Sequence, residues 1–185
     1  MSARDRAKWN QTYKSKADTP YPRPDMLLLD YTPAPREGAN RALDLAGGRG
    51  QNGLWLATQG YTVDIIDISR VALDQAQQEM AARGIRKVNL LSMDLDTTPL
   101  EPAAYDVVCI FRFLNRRLLG EIAESIKQGG RIIYETYTLQ YLDEKPDFNP
   151  DFCLLGNELA SAFDGWRILL NTEGGPVAQF VAIKP

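Results

Sequence analysis

Short apolar runs and amphipathic stretches alternate along most of this chain. Residues 41–45, 62–67, 88–92, 105–111 and 131–136 read as buried strands. The run 105–111 is apolar almost throughout, as a central parallel strand must be. Helical spacing fills the gaps. One helix covers 51–59 and stops at Gly60. A second runs from Ser69, a good N-cap, to Arg83 before Gly84, with Leu73, Ala76 and Met80 turned inward. A third presents Leu118, Leu119, Ile122, Ala123 and Ile126 and ends at Gly129-Gly130. A short helix over 157–163 precedes two last apolar runs, Trp166–Asn171 and Val177–Ile183. The Thr172-Glu-Gly-Gly-Pro176 turn between them predicts an antiparallel hairpin. The order predicts an α/β domain with a mostly parallel seven-stranded sheet whose last strand is reversed. Before residue 41 the signals are weaker. Trp9 and Tyr13 lie four apart, on one face of a short helix, and five prolines predict an irregular, flexible stretch over 15–40.

Chemistry concentrates at the first strand–turn–helix. Arg41-Ala-Leu-Asp-Leu-Ala-Gly-Gly-Arg-Gly-Gln-Asn-Gly53 places Ala46, Gly47, Gly48 and Gly50 where a backbone can approach a ligand closely. The helix from Gln51 aims free N–H groups at that ligand. Asp67, 17 positions after Gly50, ends the next strand, where a carboxylate can accept from both hydroxyls of a ribose. Two cofactor classes use this arrangement. Gly48-Arg-Gly-Gln-Asn-Gly53 satisfies the dinucleotide pattern of three glycines. Asp44 favours the other class, because a carboxylate beside the turn repels a pyrophosphate and suits a ligand bearing an ammonium and a sulfonium. The terminal hairpin favours it too, since common dinucleotide folds continue parallel.

The run from Asp44 to Leu73 resembles the small class I S-adenosylmethionine (SAM)-dependent methyltransferases, in particular their tellurite-resistance (TehB-like) and thiopurine-methyltransferase-like branch. The resemblance is strongest over 41–75 and extends to 88–136. It implies a Rossmann-like three-layer sandwich, SAM as cofactor, and methyl transfer to a small molecule. Asp44, Ala46, Gly47, Gly48 and Gly50 would line the turn, Asp67 the ribose, and Ile68 one face of the adenine. Asp94 would meet the adenine amino group, the Leu95 N–H a ring nitrogen, and Phe111 the methionine end. Asp96 could cap the turn beside Asp94. Asn52 matches a family asparagine. Ala46 stands where the family has glycine, at little cost if its φ stays negative. Residues 1–185 are expected to form one domain. In it, 1–40 is a lid segment and linker, and 41–185 is a catalytic core with a lid-like insertion at 137–156 carrying Tyr137, Tyr141, Phe148 and Phe152. Similar proteins close an N-terminal helix over the cofactor, so Trp9 and Tyr13 are substrate-end candidates with Tyr137.

Charge and composition refine this picture. The net charge of −3 and pI near 5.1 argue against a broad grip on nucleic acid, although residues 1–25 are themselves net positive. No apolar run approaches a membrane span, and no signal-peptide core follows Met1. Cys109 and Cys153 show no metal-ligand spacing and suggest a reducing, cytoplasmic setting. No metal is expected, and the oligomeric state is open. The chain has no histidine. A general base would have to come from Glu135, Asp143, Tyr134 or Tyr137, whereas a thiol or a selenium or tellurium oxyanion would need none. Arg112, at a strand exit, is expected to meet an anionic acceptor, and Arg116 and Arg117 to be a solvated helix start. Two other readings stay open: a SAM-binding regulator without turnover, and an enzyme modifying RNA or protein.

Overall fold

The computed structural model describes residues 3–38 and 40–185; Met1, Ser2 and Ala39, all inside the expected 1–40 segment, lie outside the described residues. Seven strands form one sheet: β1 (Arg41–Leu45), β2 (Thr62–Asp67), β3 (Val88–Ser92), β4 (Tyr105–Phe111), β5 (Ile126–Tyr137), β6 (Arg167–Thr172) and β7 (Val177–Ile183). Their order is β3-β2-β1-β4-β5-β7-β6, with β7 antiparallel to both neighbours and the pairs among β1–β5 parallel. The reversed β7 is the strand that the Gly-Gly-Pro turn predicts.

Seven helices are assigned among the described residues: α1 (Ala3–Lys14), α2 (Met26–Tyr31), α3 (Gln51–Thr58), α4 (Arg70–Ala82), α5 (Leu119–Ser125), α6 (Tyr141–Glu144) and α7 (Glu158–Ala162). Side-chain alternation sorts them into layers. Val107, Cys109 and Phe111 of β4 face α2, α3 and α4, packing with Leu28, Leu54 and Leu73. Val108 and Ile110 face the other way, toward Leu119 and Ile122 of α5 and Leu159 of α7. The result is the expected three-layer, Rossmann-like sandwich.

Two expectations are corrected. β5 begins at Ile126 rather than Arg131, because Ile126 already pairs with Tyr105 before a register shift. The described part of the stretch expected to be flexible, residues 15–38, is not a loose linker. Leu27 and Leu28 of α2 are buried, Thr32 Oγ1 donates to the Leu28 carbonyl, and Tyr61 Oη donates to the Pro33 carbonyl at 2.7 Å. Its prolines flank the short helix instead of dissolving the segment. No described helix is long and apolar enough to cross a membrane.

Candidate active site

The glycine turn lies at the carboxyl ends of β1 and β2, and its shape depends on what lies beneath it. Asp44 is opposite Cys109 in the β1–β4 register and is 1% exposed. Its Oδ2 accepts from the Gly53 N–H at 2.8 Å, and Cys109 Sγ donates to Oδ1 at 3.5 Å. Asp44 therefore ties α3 to β1 from below and presents neither oxygen to the cleft. Burial pushes its carboxyl up to about 7, while the Gly53 N–H and the Cys109 thiol pull the other way. Two of the glycines exist for packing. A Cβ on Gly47 would lie 2.7 Å from the Asp44 carboxyl, and one on Gly53 would lie 2.5 Å from Ile65 Cγ1.

Ala46 corrects the sequence reading. Its φ is +54°, in the left-handed region, so alanine here carries backbone strain that glycine would avoid. Gly48 and Gly50 are left-handed as well, at +57° and +78°.

Asp67 organises the cradle above the turn. It is buried; Oδ2 accepts from the Gly48 N–H at 2.8 Å and Oδ1 from the Ser69 N–H at 2.7 Å. Burial raises its pKa, and the N–H groups of Ser69, Gly48 and Ile68 oppose that shift. A carboxylate oxygen has lone pairs for more than one donor, so Asp67 retains acceptor capacity for hydroxyls. Over Gly48 lies Tyr13: a Cβ on that glycine would run into the Tyr13 hydroxyl. Burial, then the charges of Asp67 and Asp44, raise the Tyr13 pKa.

α1 is fixed there by contacts that the sequence did not reveal. Asn10 Oδ1 accepts from Ser69 Oγ at 2.9 Å, and Gln75 Nε2 donates to the Tyr13 carbonyl at 3.0 Å. Residues 19–25 then strap the loop. Tyr21 Oη donates to the Arg49 carbonyl, and the Arg49 and Arg83 guanidinium groups lie 5.0 and 5.3 Å from the Tyr21 ring. Arg49 Nη1 donates to Thr19 Oγ1 at 3.1 Å.

The remaining adenine-end candidates fall nearby in the chain. Ile68 and Leu95 are buried. Asp94 Oδ1 accepts from the Asp96 N–H at 3.0 Å, so the capping role expected of Asp96 belongs to Asp94. Asp96 accepts from Asn115 Nδ2 at 2.9 Å. Phe111 is buried under the end of β4, packed in the α2–α4 layer.

Arg112 follows Phe111 with a left-handed φ of +55°. Its Nη2 donates to Asp25 Oδ1 at 2.6 Å and lies 3.3 Å from Glu135 Oε1, and the bond to Asp25 is the main cause of its raised pKa. Asp25 also exchanges two hydrogen bonds with Asn52, at 2.9 and 3.0 Å. Arg112 thus clasps the N-terminal strap to β4 and β5. Arg112 was expected to meet an anionic acceptor; Asp25 and Glu135 already provide the negative charge, so the case for an anionic acceptor loses its basis.

The insertion 137–156 gathers its four aromatic rings into one cluster. The Tyr137 and Tyr141 rings stack at 4.0 Å, Phe148 meets both at 5.2 Å, and Phe152 follows at 6.4 Å. Arg116, expected to be solvated, pins it: Nε lies 2.6 Å from Glu158 Oε1, and Nη2 donates to the Cys153 carbonyl at 2.8 Å.

Residues 42–130 match the sequence profile of a methyltransferase domain family. These residues thus carry a methyltransferase domain, on the fold that SAM-dependent methyltransferases share. No curated protein matches the sequence. Among solved structures, TehB from Haemophilus influenzae superposes with a TM-score of 0.75 at 19% identity, over 96% of this chain and 67% of TehB. A protein from the conversion of a disulfide bond into a thioacetal group during echinomycin biosynthesis gives 0.74 at 17% identity, over 97% and 91%. A SAM-dependent methyltransferase from Aquifex aeolicus gives 0.61 at 18%, over 80% and 85%. These likenesses show the fold. For the methyltransferase, the structure brings Tyr13, Gly48 and Asp67 together at one end of the cleft. Arg112 joins Asp25 and Glu135 at the other end, and Trp9 stays 38% exposed, 6.2 Å from the Tyr13 ring.

Proposed function

We propose that this methyltransferase acts on a small molecule presenting a sulfur or heavier chalcogen nucleophile, taken at the carboxyl ends of β4 and β5 beside Arg112 and Tyr137. The observation that carries this reading is that the candidate bases near that end are committed or blocked. Glu135 receives Arg112 and, on Oε2, Gln179 Nε2 at 2.9 Å. Tyr134 is buried and donates to the Phe113 carbonyl at 2.9 Å, and burial raises the pKa of Tyr137. Asp143 is exposed on the insertion, and the chain has no histidine. A nucleophile that ionises readily needs no base, whereas an amine or a phenol does.

SAM supplies a methyl group on a sulfonium leaving group. Its fit is tested by the Asp67–Gly48 cradle, a buried carboxylate with spare lone pairs beside a backbone with no Cβ. Asp67 would hold the ribose hydroxyls, and Tyr13 on α1 would cover the turn as a lid and exclude water. Proximity and alignment can then supply about 7–11 kcal/mol of the barrier reduction. The acceptor end would be walled by the aromatic insertion that Arg116 pins. The likeness to TehB and to the thioacetal-forming protein supports a small soft acceptor. Both cysteines are unpaired and buried, which suits a reducing cytoplasm.

The test is S-adenosylhomocysteine release across a panel of thiols, selenols, tellurite, amines and phenols. Turnover confined to the sulfur, selenium and tellurium compounds is expected. Turnover confined to amines or phenols overturns the acceptor class. Tight SAM binding without turnover on any member returns the reading to a SAM-binding regulator.

A further inference from the structure

A cavity lies away from the cofactor cleft, at the amino ends of the parallel strands. It measures about 240 Å³ and is lined by Arg36, Asn40, Tyr61, Asp106, Arg131 and Arg167 among others. That volume is below the usual range of about 300–1,000 Å³ for drug-sized ligands, so it suits a smaller guest.

Its charge is lopsided. Three arginines face one carboxylate, and Asp106 is already neutralised by Lys127 Nζ at 2.7 Å and bonded to the Arg41 N–H at 2.9 Å. Among the described residues none of the three arginines makes an ion pair. Arg36 Nη2 donates to the Gly129 carbonyl at 3.1 Å, and Arg131 Nη1 donates to the Tyr31 carbonyl. Those partners are neutral, and Arg131 Nε is buried with no partner. Arg167 is exposed at the start of β6. Burial holds the Arg131 guanidinium below the usual arginine range; Tyr61 opposes that, and the charges of Arg167 and Arg36 add to it. Three like charges around one small cavity repel unless something negative sits among them.

We propose that this pocket binds a phosphate group. Guanidinium forks match phosphate oxygens in geometry and charge. The group can arrive as free inorganic phosphate or as the head of a small phosphate monoester. The inference is independent of which acceptor is methylated.

The test uses the full chain in chloride buffer of constant ionic strength, titrated calorimetrically with inorganic phosphate and with glycerol 3-phosphate. Saturable one-site binding of at least one probe is expected. Arg167→Gln and Arg36→Gln should each weaken it by at least about tenfold, the effect of losing one hydrogen bond to a charged group. Arg167 makes no hydrogen bond among the described residues, so its variant should fold, checked by an unchanged melting temperature. Arg117→Gln, on the 3₁₀ turn before α5, serves as the control and should leave phosphate binding unchanged. Tighter binding of the monoester identifies a phosphorylated small molecule as the source; equal or tighter binding of inorganic phosphate identifies the free ion. No saturation with either probe, or binding that both glutamine variants leave intact, overturns the proposal.

Discussion

Ala46 holds a left-handed backbone that an L-residue adopts only at a cost of about 1–2 kcal/mol. Glycine there relieves the strain but frees the unfolded chain, which gives back about 0.4–1 kcal/mol. Ala46→Gly should therefore stabilise the protein by a net of roughly 0.5–1 kcal/mol, read from urea midpoints. A destabilised variant would mean the Ala46 methyl makes a packing contact worth more than the strain. Asp44 carries a second residue-scale consequence. Its carboxyl, ordinarily near 3.8, is pushed up to about 7 by burial. Between those values the folded protein keeps a proton that the unfolded chain releases. This group's contribution therefore falls as pH rises through the window and is level above it. Asp67, also raised by burial, acts in the same direction. With no histidine in the chain, Asp44 should dominate the slope below about pH 7. Asp44→Asn should flatten that slope, and an unchanged slope would clear Asp44. The same proton opposes a cationic cofactor, so calorimetric SAM affinity should rise with pH up to about 7 and then level off.

At the scale of elements, α1 buries none of its own side chains fully, yet it sets Tyr13 over Gly48. Removing residues 1–14 should leave the melting temperature nearly unchanged while SAM dissociates faster in stopped-flow chase experiments. A collapse of the fold would make α1 part of the core and end its role as a lid. Arg116 governs the other cover. Its bonds to Glu158 and to the Cys153 carbonyl fasten the end of the insertion. Arg116→Ala should expose 145–156 to limited proteolysis while β4 and β5 stay protected from hydrogen exchange. The pair is partly exposed, so the loss of global stability should be about 1 kcal/mol or less.

Across the whole molecule, periodicity made the sheet and its main flanking helices legible, because β1, β2 and β4 are buried on both faces and α3 and α4 each run into a glycine. The reversed β7 was legible from one turn. What escaped was set by contacts between distant residues. Met26-Leu-Leu-Leu-Asp-Tyr31 is too short for helical periodicity to emerge, and the prolines on either side of it pointed to an irregular stretch. Its helix exists because Leu28 finds the α3 layer. Arg112 read as a substrate group because its partners, Asp25 and Glu135, are 87 and 23 positions away. The site letters Asp44, Gly47 and Gly53 were legible as a motif, but their main work is to pack one another, which a pattern does not display.

The segment from Thr19 to Arg36 is tied at both ends of the sheet. Tyr21 and Asp25 are fastened at the cofactor end, to Arg49 and Arg112, and Tyr31 and Arg36 at the far end, to Arg131 and Gly129. A tether fixed twice has little slack, so freeing either knot lengthens the loop that the other must hold closed. Cutting Asp25 loose with Asp25→Ala should thus speed amide exchange at α2 and at Gly129, on the far side of the molecule from the substitution. Exchange that quickens only around Arg112 would mean the two knots are independent. If they are coupled, cofactor retention and occupancy of the arginine pocket share one mechanical link. A small anion bound at the base would then slow the loss of the nucleoside held at the top.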